Sequence, residues 1–120
     1  MRWTMTQAFA ATMLLALPAA AQSVGGSYQV KGTNFDGSPY SGTATIKPSS
    51  DSTCRIEWQT GDTSSTGFCM LANKAFAAAY KLGDSVGLVV YELQSDGSLK
   101  GYWTIADKSG AGTETLTPAK

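Results

Sequence analysis

The sequence predicts an all-β domain, a small eight-stranded antiparallel up-and-down barrel with one disulfide; the alternative architecture is a two-sheet β-sandwich. Three observations point there. Apolar and polar residues alternate with period two in one short segment after another. Gly, Asp, Asn and Ser punctuate the gaps between these segments, as tight turns require. The gaps are short, so successive strands are hairpin neighbours without a long crossover, which favours a meander closing on itself.

Residues 1–21 stand outside this pattern and read as a signal peptide. Arg2 gives a short positive start, and Ala8 to Leu17 form an apolar run of ten residues. Pro18 then breaks the helix before Ala19-Ala20-Ala21, an A-x-A cleavage site. The run is too short to span a bilayer, and no cysteine follows the cleavage site to carry a lipid anchor. The expected mature chain is a single barrel domain over residues 22–120, exported to the periplasm or secreted, with no membrane span.

The eight strand candidates follow in order. Ser27–Lys31 sets Tyr28 and Val30 against polar neighbours, and Tyr40–Lys47 sets Tyr40, Gly42, Ala44 and Ile46 against Ser41, Thr43, Thr45 and Lys47. Cys54–Gln59 places Cys54, Ile56 and Trp58 on one face. Gly67–Ala72, Phe76–Leu82, Val86–Leu93, Leu99–Ile105 and Gly112–Thr117 complete the set. The Ala-rich run in the fifth could form a helical turn, but it is short and bounded by Asn73 and Gly83, so it reads as a strand.

Pairing residue i with 123 minus i puts Cys54 opposite Cys69 and Trp58 opposite Ser65. In an oxidising compartment these two cysteines form a disulfide, worth about 3 kcal/mol for so short a loop. Without a CxxC spacing or a neighbouring cation, a structural bridge is a better reading than a reactive thiol pair.

Two hairpins share a turn sequence. Around Asp36-Gly37-Ser38, a three-residue loop pairs Val30 with Gly42 and Tyr28 with Ala44. Asp96-Gly97 reads as a two-residue turn pairing i with 193 minus i, which sets Glu92 opposite Gly101 and Val90 opposite Trp103. Leu99, Trp103 and Ile105 share a face against Lys100 and Thr104, so that face is expected inward. The pairing then brings Leu88, Val90 and Glu92 inside. Leu116 carries Glu114 inward by parity, and a three-residue loop at Gly83 to Ser85 sets Phe76 opposite Glu92.

Two carboxylates beside Trp103 would be costly if dry, and each would raise the other's pKa. They can be solvated near a barrel mouth, or a bulge at Gly110 to Gly112 can turn Glu114 outward. They can also line a ligand cavity, since a barrel of this size holds one small molecule. Paired-carboxylate acid/base chemistry fits least in so small a domain without elaborated loops. The ligand-binding candidates are thus Trp103, Glu92 and Glu114. By the same parity Val89, Tyr91 and Leu93 point outward with Tyr102, beside Ala77 and Ala79; this patch is either a candidate surface for a protein partner or a homodimer, or is covered by a loop or by the Gln22 to Gly26 segment.

Composition removes other classes. Nine acidic and nine basic residues balance, without a basic cluster, so no nucleic-acid partner is indicated. There is no histidine and one cysteine pair, so the common zinc sites and Ser/His or Cys/His catalytic arrangements are not available. The expectation is a non-catalytic binding module without metal or cofactor.

The runs GSYQVKGTNFDGSPYSGTATI, CRIEWQTGDTSSTGFCM and GLVVYELQSDGSLKGYWTIADKSGAGTETLTP cover nearly the whole expected mature chain. In them the chain resembles a family of small exported bacterial all-β proteins of unknown function, some described as fibronectin-binding. The barrel is also similar in outline to streptavidin and lipocalin architectures. That second resemblance is of architecture only and brings no ligand-binding motif with it.

Overall fold

The computed structural model describes residues 24–119; the expected signal peptide lies outside the described residues. All eight expected strands are present: β1 (Gly26–Thr33), β2 (Pro39–Pro48), β3 (Cys54–Thr60), β4 (Thr63–Ala72), β5 (Ala75–Leu82), β6 (Ser85–Leu93), β7 (Leu99–Ile105) and β8 (Gly112–Pro118). They form one closed antiparallel barrel in chain order, which settles the choice between barrel and sandwich. The seam is a β1–β8 ladder running from Tyr28↔Pro118 to Thr33↔Thr113. Among the described residues no helix is long and apolar enough to cross a membrane.

The up-and-down order puts the loops at 34–38, 61–62, 83–84 and 106–111 at one end of the barrel. The loops at 49–53, 73–74 and 94–98 lie at the other, where the described chain begins and ends. That second end is filled. Val24, Ile46, Ile56, Phe76, Leu99 and Leu116 are all essentially inaccessible to solvent. Cys54 and Cys69 face each other across β3 and β4 and are bonded there, in the expected register.

The β1–β2 hairpin also has its expected register, with Val30 opposite Gly42 and Tyr28 opposite Ala44. Asn34 N–H donates to Ser38 O and Gly37 N–H to Asn34 O, with Gly37 at a φ of 88°. This is a three-residue loop closed by a glycine in the left-handed region.

The β6–β7 hairpin corrects the expected two-residue turn. Gln94 N–H donates to Ser98 O and Gly97 N–H to Gln94 O, with Gly97 at a φ of 89°, so this loop is the same as the first. In both, an aspartate holds the turn: Asp36 accepts from the Ser38 N–H and hydroxyl, and Asp96 from those of Ser98. The added loop residue shifts the ladder by one, so Glu92 faces Lys100, Val90 faces Tyr102 and Leu93 faces Leu99.

Because side chains alternate, that shift turns β6 over. Val89 and Tyr91 are buried and Leu93 packs against the core, contrary to their expected outward position. Glu92, Leu88 and Val90 face out instead of in, Leu88 and Val90 being 60% and 53% exposed. The β5–β6 turn is likewise one residue shorter than expected, at Gly83-Asp84, which sets Phe76 opposite Tyr91 rather than Glu92.

Candidate ligand site: an aromatic chamber around Glu114

At the end bearing the 34–38 loop the barrel is hollow. A cavity of about 310 Å³ is lined by Tyr40, Trp58, Tyr80, Trp103 and Glu114, with Asn34, Thr60, Thr63, Ser65, Leu82 and Val89 completing the wall. Trp58 packs edge-on to Tyr80, with ring centroids 5.2 Å apart, and Tyr40 meets Trp103 edge-on at 6.3 Å. Phe35, carried on the 34–38 loop, packs on Trp103 with centroids 4.9 Å apart.

Cross-strand glycines determine where three of these rings lie. Tyr40 pairs with Gly32, Tyr80 with Gly87 and Trp103 with Gly112. A Cβ at Gly87 would stand 2.2 Å from the Tyr80 ring, and one at Gly112 would stand 2.4 Å from the Trp103 indole. Each ring therefore lies across its bare neighbour instead of reaching into the barrel axis, and the axis stays open. Polar tips are anchored in the wall: Tyr80 OH donates to Thr104 O at 3.0 Å, and Trp103 Nε1 donates to Thr33 O at 3.2 Å.

Glu114 reaches in from β8 and is buried, as its parity with Leu116 predicts. Tyr40 OH donates to its Oε1 at 2.6 Å, Trp58 Nε1 donates to Oε2 at 2.9 Å, and Tyr91 OH also donates to Oε2. Donors from β2, β3 and β6 thus converge on one carboxylate and occupy three of its roughly four acceptor positions. Trp58 can only donate, so Oε2 keeps at least one acceptor position for it, whereas the Tyr40 and Tyr91 hydroxyls can donate or accept. A proton on Oε1 can be taken by the Tyr40 hydroxyl, which then turns its own hydrogen toward Thr113 O, 3.4 Å away.

Burial pushes the Glu114 pKa above the ordinary carboxylate value, and the three donors limit the rise. Burial and then the Glu114 charge push the Tyr40 and Tyr91 hydroxyls up, and the same two causes bring Tyr80 to about 12. Among the described residues that line the chamber there is no arginine or lysine, and Glu114 is the one carboxyl group on its wall.

Of the residues expected at a ligand site, the fold brings Trp103 and Glu114 together and leaves Glu92 outside, paired with Lys100. Tyr91, expected on the surface, is a hydrogen-bond donor to the buried carboxylate. Tyr40, Trp58 and Tyr80 are the chamber residues that sequence reasoning did not gather. Their signal was present as an aromatic residue on an inward position opposite a Gly, Ala or Ser. Among the described residues no three of His, Cys, Asp and Glu come together as a metal site.

No protein-family model matches the chain, and no curated protein matches it. Solved structures do. A redesigned β-barrel superposes with a TM-score of 0.73 at 24% identity, over 84% of this chain and 96% of that one. A second redesigned barrel, solved bound to DFHBI, gives 0.69 at 24% identity over 82% and 97%. Fatty-acid-binding protein 1 of Echinococcus granulosus gives 0.54 at 8% identity over 82% and 99%. At these identities the likeness is one of fold alone, that of a small closed β-barrel.

Proposed function

We propose that this protein is an exported, non-catalytic binding module that takes one small cationic molecule with an apolar or aromatic body into the chamber around Glu114. One observation carries the reading: an open aromatic chamber in which, among the described residues, the single acidic or basic side chain besides the tyrosines is a buried carboxylate with an acceptor position still free. Ring faces attract cations, by about 0.5–2 kcal/mol per contact. A cation held near Oε1 also replaces the solvation that burial takes from the carboxylate. The volume lies at the lower end of the range for small-molecule pockets. The structural neighbours support the ligand-binding part of this reading, since one is a barrel bound to DFHBI and another a fatty-acid-binding protein. The chamber's charge argues for a cation over a fatty acid. Export rests on the Arg2 to Ala21 pattern and on the resemblance to small exported bacterial proteins.

The test is a titration followed by tryptophan fluorescence, since Trp58 and Trp103 both line the chamber. Benzyltrimethylammonium is expected to bind saturably. Its neutral isostere neopentylbenzene and a medium-chain fatty acid are expected to bind at least ~10-fold more weakly, a 1.4 kcal/mol difference. Glu114→Gln should abolish the preference. Because the free carboxyl has a raised pKa, cation affinity should increase as pH rises through that value. Equal affinity for the charged and neutral ligands would overturn the reading.

The second reading, a protein-binding or self-associating surface, is favoured by the apolar outer wall of β4 to β7. Of the residues expected there, Tyr102 remains; Leu88 and Val90 take the place of Val89, Tyr91 and Leu93.

A further inference from the structure

The outside of the barrel has two unlike walls. From β8 through β1 and β2 to β3, every outward position inside a strand is Thr, Ser, Gln, Lys, Arg or Glu, apart from the prolines that bound β2 and β8. From β4 to β7 the outward face instead carries Phe68, Met70, Val86, Leu88, Val90 and Tyr102, each between 46% and 64% exposed. At those fractions the six residues together leave on the order of 700 Å² of their surface to solvent, backbone included, against the 300–600 Å² of the largest patch on an ordinary monomer.

This wall is shaped as well as apolar. Ala77 and Ala79 on β5 form the floor of an open groove of about 530 Å³, with Phe68 and Met70 on one bank and Leu88 and Val90 on the other. Register places the small and large residues in two rows. Met70, Ala77, Val90 and Tyr102 are successive cross-strand partners, as are Phe68, Ala79, Leu88 and Thr104.

We propose that the occupant of this wall is a second copy of the chain, related by a two-fold axis that runs along the strands between β5 and β6. That operation exchanges β5 with β6 and β4 with β7 while keeping each row at its own height. Val90 and Leu88 of one copy then enter the groove over Ala77 and Ala79 of the other, and the reverse, so the surface is self-complementary in the sense a two-fold interface demands. Met70 of each copy meets Tyr102 of the other, a favourable sulfur–aromatic contact. The flanking charges do not collide. Lys81 shares a row with Val86 and Glu92 with Ala75, so each charge faces an apolar side chain of the other copy. Covering the patch on both copies buries on the order of 1,400 Å², within the standard size for a stable interface. A membrane surface fits less well, because the wall's edges carry both signs, Glu57 with Arg55 and Lys81 on one side and Glu92 with Lys100 on the other.

Sedimentation velocity of the purified protein from ~1 to ~100 μM is the test. A dimer is expected, with Val90→Arg weakening it at least ~100-fold while near-UV circular dichroism stays unchanged. Should Val90→Arg fail to fold, Tyr102→Lys, at the most exposed of these side chains, gives the same readout. A monomer at ~100 μM overturns the proposal, as does a dimer indifferent to Val90→Arg. A monomer that floats with phosphatidylcholine vesicles also overturns it and assigns the wall to lipid.

Discussion

The two ends of the barrel interior are built from the same strands and put to opposite uses. At the end bearing the 94–98 loop, aliphatic side chains, Phe76 and the disulfide fill the section completely. At the other end the large residues are amphipathic. Tyr40, Tyr80 and Trp103 lie across glycines with their polar tips tied to the wall or to Glu114. Close packing with apolar groups makes the first end stable and chemically silent. Replacing aliphatic bulk by rings that hug the wall makes the second end hollow and electrostatically specific. The comparison predicts that the filled end sets stability and the hollow end sets binding.

The largest effect should come from the filled end. Phe76→Ala removes a fully buried ring and is expected to cost about 3–5 kcal/mol in denaturant unfolding. The protein that remains folded should keep its cation affinity, because Phe76 does not line the chamber. Next, replacing both Cys54 and Cys69 by Ala should cost about 2–4 kcal/mol by the same measurement, again without changing affinity.

At the hollow end the sign depends on the substituent. Glu114→Ala leaves the Trp58 N–H and Tyr91 O–H without their acceptor and is expected to cost about 2–4 kcal/mol. Glu114→Gln keeps an acceptor for both and relieves a buried charge, so it should match or exceed wild type at neutral pH. The pH dependence sharpens this. The folded Glu114 pKa lies above the unfolded value, so its contribution to stability is fully present below about 4.5 and is lost as pH rises through the folded pKa. The melting temperature of Glu114→Gln relative to wild type should therefore climb with pH across that window. Asp36 and Asp96, held low by Ser38 and Ser98, act in the opposite direction at lower pH and cancel in the difference. The smallest effect is expected from Tyr80→Phe, about 1 kcal/mol or less for the bond to Thr104, with the chamber intact.

The strands and the registers of the β1–β2 and β3–β4 hairpins were legible because polar and apolar residues alternate where the outer wall is polar. Tyr28 and Val30, or Ile56 and Trp58, leave no doubt about facing when Gln29 or Glu57 stands between them. In β6 that contrast disappears. Leu88 and Val90 on the outside are as apolar as Val89 and Tyr91 on the inside, so alternation could not detect a shift of one. The sequence did hold two tie-breakers. Ser98 follows Asp96-Gly97 as Ser38 follows Asp36-Gly37, and the observed register sets Glu92 against Lys100, an opposite-charge pair, rather than against Gly101. Glu114 could be placed from parity alone, since its strand has a polar outer face. Its three partners could not, because they come from strands β2, β3 and β6, and only closure of the barrel aims them at one point.

The seam has a consequence for motion. Seven of the eight ladders join consecutive strands, whereas the β1–β8 ladder joins segments about as far apart in the chain as the fold allows, as in Tyr28↔Pro118. It is the ladder whose closure costs the most chain entropy, and its separation is the widest opening available to the barrel short of unfolding. Glu114 sits on that seam, paired with Gly32, so the seam cannot part without drawing the carboxylate away from Tyr40 and Trp58. On the proposed reading, a cation in the chamber binds the closed form alone and so acts as a latch. Its presence should be read out not at the chamber but along β1 and β8, whose amide hydrogens exchange more slowly as the latch fills.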